Sequence, residues 1–161
     1  MSESSANEPN RTIVVLGGTQ GIGRELVAHL AAQGATVYLS GRTMASAQKA
    51  VDEIGLGTRP LAVDLSEPTT IREALAGVGP VDGLVICAIE RDSNTIGDYD
   101  IAGAIRLVTL KLVGYTEAIH VLRDRFTPQA SVVLFGGLAM QRPYPGSVSY
   151  THLTLPTNRE V

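Results

Sequence analysis

The 161-residue chain is poor in the residues and patterns that mark several protein classes. It has one cysteine, Cys87, and no tryptophan. A single cysteine excludes an internal disulfide framework and fits a reducing compartment. No apolar run approaches the roughly 18 residues of a membrane-spanning helix, and no basic run marks a nucleic-acid or anionic-membrane surface. We therefore expect a cytoplasmic protein with neither nucleic-acid nor membrane partners.

The remaining composition is that of one ordinary globular domain. The chain is 44% hydrophobic and 18% charged, with a net charge of -3, which is enough apolar material for a sizeable core. Residues 1–10, MSESSANEPN, lack the charged start and apolar middle of a signal peptide. Their polar composition predicts a disordered segment, so the folded domain is expected to cover residues 11–147.

Short apolar runs alternate with helical periodicity from Arg11 onward. Five runs are predicted to be strands: TIVVLG, ATVYLSG, TRPLAVDL, VDGLVICAI and ASVVLFGG. Continuous Val, Ile and Leu runs are typical of strands covered on both faces. The alternation predicts an α/β fold with a doubly wound parallel sheet and right-handed crossovers. Pro60 places the third strand at an edge of that sheet.

Apolar spacing and capping residues locate the helices between these strands. The first is predicted to end at Gly34 and the second at Gly55, and Ser66 is a candidate cap for the third. The first helix is expected to face the core through Ile22, Leu26, Val27 and Leu30. A long fourth helix over residues 98–125 is expected to do so through Ile101, Ile105, Val108, Leu112 and Ile119.

A glycine-rich turn, VVLGGTQGIGRE, joins the first strand to the first helix. Gly17 can make the tight turn, Gly21 lets backbone N–H groups approach a pyrophosphate, and Gly23 lets helix and strand pack closely. The helix N-terminus then presents unpaired N–H groups to the phosphates. A glycine-rich turn also serves ordinary loops, but its place in the first βαβ unit favours a dinucleotide site.

The stretch GGTQGIG resembles the cofactor loop of the short-chain dehydrogenases/reductases, with Leu16 in place of that family's leading threonine. The resemblance runs over residues 11–147. It implies a Rossmann-type sheet with strand order 3-2-1-4-5, without the elements that come after the fifth strand in the family. It also implies that Thr19, Gln20 and Ile22 join the three glycines around the cofactor.

The end of the second strand indicates which dinucleotide is bound. A site for NAD usually carries an acid there, on the ribose 2′-hydroxyl, whereas this chain reads SGRT with Arg42. A guanidinium can fork onto a 2′-phosphate, and the hydroxyls of Ser40 and Thr43 can assist. NADP is therefore expected rather than NAD, and the alternative is a solvated arginine.

Three further cofactor residues are implied by the family resemblance. Asp64 and Leu65 match the acid and apolar residue that contact the adenine ring in the family, although Asp64 also suits capping of the next helix. Ala88 is the only residue of the family's Asn-Asn-Ala-Gly segment that this chain keeps. Cys87, its neighbour, is expected to be a small core residue.

The family's catalytic tetrad is Asn, Ser, Tyr and Lys, and this chain departs from it. The resemblance places Lys111 at the asparagine, Gly137 at the serine, Tyr150 at the tyrosine and Thr154 at the lysine. Glycine has no side-chain donor, so only Tyr150 fits the family's acid/base chemistry.

The tail that contains Tyr150 has a second interpretation. The stretch VSYTHLTLPT is what a transposase adapter of sequencing libraries encodes, so residues 148–161 are predicted to be a non-native scar. Tyr150 would then be a coincidence, and a catalytic Tyr150 remains the alternative. The coding DNA of this stretch distinguishes the two.

These observations predict an oxidoreductase that moves hydride between NADP(H) and a small carbonyl or alcohol substrate, with impaired activity in this chain. A non-catalytic NADP-binding sensor or scaffold is the alternative. A homo-oligomer formed through the fourth helix is expected from the family. No metal site is expected, because His29 and His120 lie on separate predicted helices without metal-site spacing.

Overall fold

A computed structural model describes residues 11–55, 57–91, 93–137 and 146. The strands are β1 (Thr12–Leu16), β2 (Thr36–Gly41), β3 (Thr58–Ala62), β4 (Val81–Ile86) and β5 (Phe126–Leu134). The α-helices are α1 (Gly21–Ala32), α2 (Met44–Ile54), α3 (Pro68–Ala74), α4 (Ile101–Val108) and α5 (Tyr115–Leu122). The segments predicted to be disordered (1–10) and non-native (148–161) lie outside the described residues.

The five strands form one parallel sheet in the order β3-β2-β1-β4-β5. β1 is the central strand, and its Val14 pairs with Tyr38 of β2 on one side and with Leu84 of β4 on the other. Pro60 lies in β3, at an edge, where a missing N–H costs least. The predicted fold class, strand order and edge position are confirmed.

Alternation along β1 divides the core between the two faces of the sheet. Val15 packs with buried residues of α1 and α2, whereas Val14 and Leu16 pack with buried residues of α3 and α5. All three side chains are fully buried. Helices therefore cover both faces, which explains why the strands read as continuous apolar runs.

The first helix ends where the sequence predicted, but its buried face differs. Gly34 follows the C-cap of α1, and Gly55 is the C-cap of α2. Val27 is buried as expected, together with Ala31. Ile22 is 66% exposed, so its predicted inward position is wrong. Ile22 lies in the first turn of α1, at the edge of the sheet, whereas Val27 and Ala31 lie further along the helix and pack on the core.

The predicted cap of the third helix is also wrong. Glu67 occupies the N-cap position of α3, and Pro68 follows in the first turn. Ser66 instead donates its hydroxyl to Asp64 Oδ1 at 2.6 Å. This hydrogen bond belongs to the turn that follows β3, one residue before the N-cap position of α3.

The long fourth helix is continuous in space but changes its winding. α4 passes into a π-helical segment, Thr109–Gly114, then into α5 and a short 3-10 turn, Arg123–Arg125. The residues turned to the core are Ala104, Leu107, Leu110, Gly114, Tyr115, Ala118, Val121 and Leu122. Four of the five predicted inward residues are instead exposed: Ile101, Ile105, Val108 and Leu112.

The buried face of the fourth helix was predicted wrongly for a physical reason. A helix with two apolar stripes gives the same periodicity whichever stripe faces the core, and the larger side chains of the exposed stripe favour the wrong one. The sheet in fact receives Ala104 and Leu107 of α4. Ile119, the fifth predicted residue, does pack against the core. Within the described residues, no helix is long and apolar enough to cross a membrane.

Candidate functional site

The glycine-rich turn lies at the carboxyl end of β1, and two of its glycines have no room for a side chain. Gly17 has a φ of 91°, and a Cβ there would lie 2.6 Å from the backbone nitrogen of Ala88. A Cβ at Gly23 would strike the carbonyl of Gly17. Strand, loop and helix therefore approach each other as closely as backbone allows, which is the packing that the sequence predicted for these positions.

The loop presents backbone amides at the start of α1. Gln20 is the N-cap residue and makes no side-chain capping bond, so its side chain does not cover the first-turn N–H groups. Gln20, Gly21 and Ile22 are exposed and Thr19 is half-buried. A helix N-terminus of this kind carries a partial positive charge and favours an anion such as a phosphate.

Ser40 holds this loop to the neighbouring strand. Gly17 N donates to Ser40 Oγ at 3.0 Å, and Gly18 N donates to the Ser40 carbonyl at 3.0 Å. Ser40 is 2% exposed. Its hydroxyl is therefore engaged in shaping the turn, a use that the sequence pattern does not reveal.

Arg42 and Thr43 come directly after β2, at the same edge of the sheet. The Arg42 side chain is exposed. Thr43 is the N-cap of α2: its Oγ1 accepts from Ser46 N at 3.2 Å and donates to Ser46 Oγ at 3.1 Å. The exposed Arg42 side chain thus comes just before the N-terminus of α2, where Thr43 already provides the capping hydrogen bond.

Asp64 belongs to an ionic cluster that no local sequence pattern indicates. Arg106 Nη2 on α4 donates to Asp64 Oδ2 at 3.0 Å, and Arg106 Nε donates to Glu90 Oε2 at 2.8 Å. The three side chains are 24–32% exposed. One guanidinium therefore joins the ends of β3 and β4 to the fourth helix, 42 residues away from Asp64 in sequence.

The electrostatics of this cluster keep Asp64 ionised. Burial raises the pKa of its carboxyl, but hydrogen bonds from Ser66 and the charge and hydrogen bond of Arg106 outweigh burial and hold the pKa below its ordinary value. In return, the hydrogen bond to Asp64 raises the pKa of Arg106. Leu65, the next residue, is 2% exposed and belongs to the core.

Ala88 and Cys87 lie where the chain leaves β4. Cys87 N and Ala88 N both donate to the Leu16 carbonyl, at 2.8 and 3.0 Å. This places Ala88 against the Gly17 turn. The thiol of Cys87 is half-buried, and burial raises its pKa against the smaller effect of the Lys111 charge. Cys87 is therefore a neutral thiol at pH 7.

Half-buried Lys111 and buried Tyr115 form a polar pair beside Ala88. Lys111 Nζ donates to Tyr115 Oη at 2.7 Å and to the Phe135 carbonyl at 3.1 Å, and Tyr115 Oη donates to the Ala88 carbonyl at 2.7 Å. The ammonium also lies 4.6 Å from the centroid of the Tyr115 ring. The pair therefore links the fourth helix to the carboxyl ends of both β4 and β5.

Burial changes the acidity of this lysine. It lowers the pKa of Lys111 from 10.5 to about 8, with a smaller opposing effect from Cys87. A lysine whose pKa lies this close to neutrality is a recognised feature of functional sites. The π-helical winding of residues 109–114, which carries Lys111, is another such feature.

The predicted cofactor-binding residues thus fall at one edge of the sheet, where the crossovers from β1 diverge to either side. Gly137 is described and half-buried; Tyr150 and Thr154 lie outside the described residues. Glu90, Arg106 and Tyr115 were not predicted. Only Tyr115 had a local signal, because Lys111 and Tyr115 are four residues apart and share one helix face.

Comparison with protein families gives a match over nearly the whole described chain. The family model described as short chain dehydrogenase matches residues 11–152. L-xylulose reductase of Bos taurus is 43% identical over 75 residues, which are 47% of this chain and 30% of that protein. The matched part is therefore less than a third of the length of this curated relative.

Solved structures share the fold over most of the chain. A putative β-ketoacyl-ACP reductase superimposes with a TM-score of 0.80 at 29% identity, covering 88% of this chain and 60% of that one. A 3-ketoacyl-(acyl-carrier-protein) reductase of Brucella melitensis, complexed with NADH, gives 0.76 at 22% identity, covering 88% and 63%. At that identity the second likeness concerns the fold alone.

The burial of Lys111 predicts a pH-dependent stability. Because its folded pKa is lowered, the unfolded state binds more protons between pH 8 and 10.5, so the unfolding free energy should rise with pH in that window. Replacing Lys111 by Met removes this dependence. We expect the stability difference between wild type and Lys111→Met to change by about 1–2 kcal/mol between pH 7 and pH 9.5.

Urea unfolding at both pH values measures this difference. Lys49, which is exposed on α2, is the matched control, since Lys49→Met should shift stability equally at both. Cys87 influences the pKa of Lys111, so the pair is repeated in a Cys87→Ala background. A pH-independent difference between wild type and Lys111→Met would contradict the predicted burial of this amine.

Proposed function

The chain belongs to the short-chain dehydrogenase family, and we propose that it binds NADP(H) at the edge of the sheet that carries the Gly17 turn. The observation that carries the proposal is the joint placement of this turn, the open N-terminus of α1 and Arg42 at one edge. The turn suits a pyrophosphate, and the guanidinium suits a third phosphate.

Each half of the crevice has its own set of residues. A dinucleotide in a doubly wound sheet crosses the point where the strand order reverses, here between β1 and β4. The adenosine half of the dinucleotide is then bound by Arg42, Asp64 and Leu65. The nicotinamide half is bound by Ala88 and the ends of β4 and β5. Ser40 and Thr43 act mainly by holding the loop and the α2 start in place.

NADP is proposed over NAD because of the residues at the end of β2. No acid stands in the SGRT segment, and a carboxylate there is what binds a free ribose 2′-hydroxyl. Arg42 is exposed, so it can turn onto a 2′-phosphate without breaking a core contact. The NADH complex of a structural neighbour does not weigh against this, because only the fold is shared at 22% identity.

The proposed reaction is hydride transfer between NADP(H) and a small carbonyl or alcohol. The bound dinucleotide supplies the hydride; the chain must orient the substrate and supply the proton. Tyr150 is the proposed proton donor, on the family resemblance alone. The likeness to L-xylulose reductase favours a small polyhydroxy carbonyl substrate. We expect weak turnover, because Gly137 offers no side-chain donor and Thr154 carries no charge.

A second candidate function is a non-catalytic NADP-binding sensor or scaffold. The observation that favours it is Lys111, whose amine is held by Tyr115 and Phe135 at the position where the family has asparagine. A site with three altered tetrad positions can keep its cofactor loop while losing the chemistry. The fold and the dinucleotide would then be the same, and only turnover distinguishes the two functions.

The two candidates predict different results with a panel of small aldehydes, ketones and sugars. We expect slow oxidation of NADPH, measured at the nicotinamide absorbance, that Tyr150→Phe abolishes while Tyr99→Phe does not. Tyr99 is an exposed tyrosine ahead of α4. Tight dinucleotide binding with no turnover for any compound would favour the sensor. Turnover that survives Tyr150→Phe would remove Tyr150 from the reaction.

Arg42 is expected to select the phosphorylated dinucleotide. Arg42→Ala should weaken NADP binding by about 1.5–3 kcal/mol, because it removes a charge-assisted hydrogen bond, and should leave NAD binding nearly unchanged. Calorimetric titration with each dinucleotide measures this. Arg123→Ala is the control, since Arg123 is exposed ahead of β5, at its amino end. Equal losses for both dinucleotides would contradict the assignment.

The exposed apolar stripe along α4 and the following π-helical segment supports the proposed homo-oligomer. Ile101, Ile105 and Leu112 are 64%, 61% and 48% exposed, and Val108 lies between them on the same side. Contiguous exposed apolar side chains of this kind mark interaction surfaces. The stripe is twofold self-complementary in principle, because a helix face can pack against its own copy.

Charge on this stripe should break the oligomer. Ile105→Asp is expected to convert a dimer into a monomer, as measured by sedimentation velocity, because a dimer would have to bury an unpaired carboxylate. Ile22→Asp is the control, since Ile22 is equally exposed but lies on α1. A monomeric wild type, or a dimer that tolerates Ile105→Asp, would show that this face is not the interface.

A further inference from the structure

Arg106 of α4 joins two carboxylates that follow different strands of the sheet. Its Nη2 donates to Asp64 Oδ2 at 3.0 Å, and its Nε donates to the two oxygens of Glu90 at 3.1 and 2.8 Å. Asp64 comes after β3 and Glu90 after β4. Because a guanidinium is a rigid plane, an Nε that is fixed on Glu90 also fixes the direction in which Nη2 donates.

The Asp64 carboxylate is held on both of its oxygens. Ser66 N and Ser66 Oγ donate to Oδ1 at 2.9 and 2.6 Å, while Arg106 engages Oδ2. The backbone at this point is fixed separately, because a Cβ at Gly114 of the π-helical segment would strike the Leu65 carbonyl. Packing therefore places the backbone, and the hydrogen bonds of Arg106 and Ser66 set the orientation of the side chain.

This carboxylate keeps an acceptor position for a ligand. A carboxylate oxygen has two lone pairs, and among the described residues only Arg106 donates to Oδ2. The Asp64 side chain is 24% exposed, so a donor on a ligand can reach it. Burial raises the pKa of Asp64, but the hydrogen bonds of Ser66 and Arg106 outweigh burial, so the group is ionised at pH 7. It therefore accepts hydrogen bonds and donates none.

Asp64 lies next to the residue that is proposed to bind the 2′-phosphate. Val63 N donates to the Gly41 carbonyl at 2.9 Å, and Asp64 and Arg42 are the next residues along their two strands. One adenosine moiety can therefore meet Arg42 with its phosphate and Asp64 with its base.

An acceptor that cannot donate distinguishes two kinds of purine. Adenine carries an amino group at C6, which donates, whereas a 6-oxopurine such as hypoxanthine carries an acceptor oxygen there. An ionised carboxylate attracts the amino group and repels the oxygen. The hydrogen bond is strong only when a lone pair points along the N–H direction, so the orientation of Asp64 matters as well as its charge.

We propose that Arg106 is a positioning residue that aims the Asp64 carboxylate at the 6-amino group of the adenine, so that the site selects adenine over 6-oxopurine dinucleotides. The inference rests on the proposed function, because it needs a dinucleotide bound at this edge of the sheet. Arg106 acts through Asp64, and Glu90 anchors the guanidinium.

Calorimetric titration of the full chain with NADP⁺ and with its hypoxanthine analogue measures this selection without any turnover. The two ligands differ only in the purine, so the ratio of their dissociation constants, hypoxanthine over adenine, reports the base contact alone. A hydrogen bond to a charged group corresponds to about ten- to hundredfold in binding, and we expect the wild-type ratio in that range. Arg106→Met should lower the ratio to about threefold or less, because the carboxylate is then held on Oδ1 only.

Two further variants show whether Arg106 acts through Asp64. Asp64→Asn keeps the shape of the side chain, but its amide both accepts and donates, so the ratio should fall close to one. Adding Arg106→Met to Asp64→Asn should then leave the ratio where it is. Arg72→Met is the matched control, since Arg72 on α3 also pairs with a carboxylate of the fourth helix, Glu117 at 3.7 Å. Its ratio should equal that of the wild type.

The outcomes separate this inference from the proposed function. If both dinucleotides bind and Arg106→Met keeps the wild-type ratio, Arg106 does not position Asp64, and the proposed function stands. A further fall of the ratio when Arg106→Met is added to Asp64→Asn would also contradict the inference. If neither dinucleotide binds the wild type, the proposed function falls and the inference falls with it. Should Arg106→Met fail to fold, equal wild-type dissociation constants for the two dinucleotides are sufficient to overturn the inference.

Discussion

The structure depends on how the backbone leaves β1. The Leu16 carbonyl accepts hydrogen bonds from both Cys87 and Ala88, so the end of β1 is tied to the end of β4. Gly17 then turns away with a φ that a side chain would strain, and its Cα lies against Ala88 with no space for a Cβ. This contact fixes the geometry at the point where the strand order reverses, between β1 and β4.

Two polar connections extend that contact to the fourth helix. Arg106 joins α4 to the ends of β3 and β4 through Asp64 and Glu90. Lys111 joins the π-helical segment to the ends of β4 and β5 through Tyr115 and Phe135. Ions at this depth contribute little to stability unless they are well hydrogen-bonded. Their value here is positional, because they hold the fourth helix against the ends of three strands at one edge of the sheet.

The fourth helix therefore has three surfaces with different tasks. Small and medium apolar residues, such as Ala104 and Ala118, pack on the core. Arg106 and Lys111 contact groups that follow the carboxyl ends of β3, β4 and β5. Ile105 and Leu112 remain exposed on a third side. The π-helical winding between α4 and α5 adds a residue to the turn, and the buried positions shift from Leu107 and Leu110 to Gly114 and Tyr115.

The sequence by itself determined the alternation of strands and helices, the glycine turn and the lack of an acid after β2, because each depends on residues close together in the chain. Only the tertiary structure decided which stripe of the fourth helix is buried, since periodicity is the same for both. It also decided that Ser40 supports the Gly17 turn and that Arg106 reaches Asp64. The residues of those two pairs are 23 and 42 positions apart in the sequence. A local sequence pattern cannot predict a contact between residues that only folding brings together.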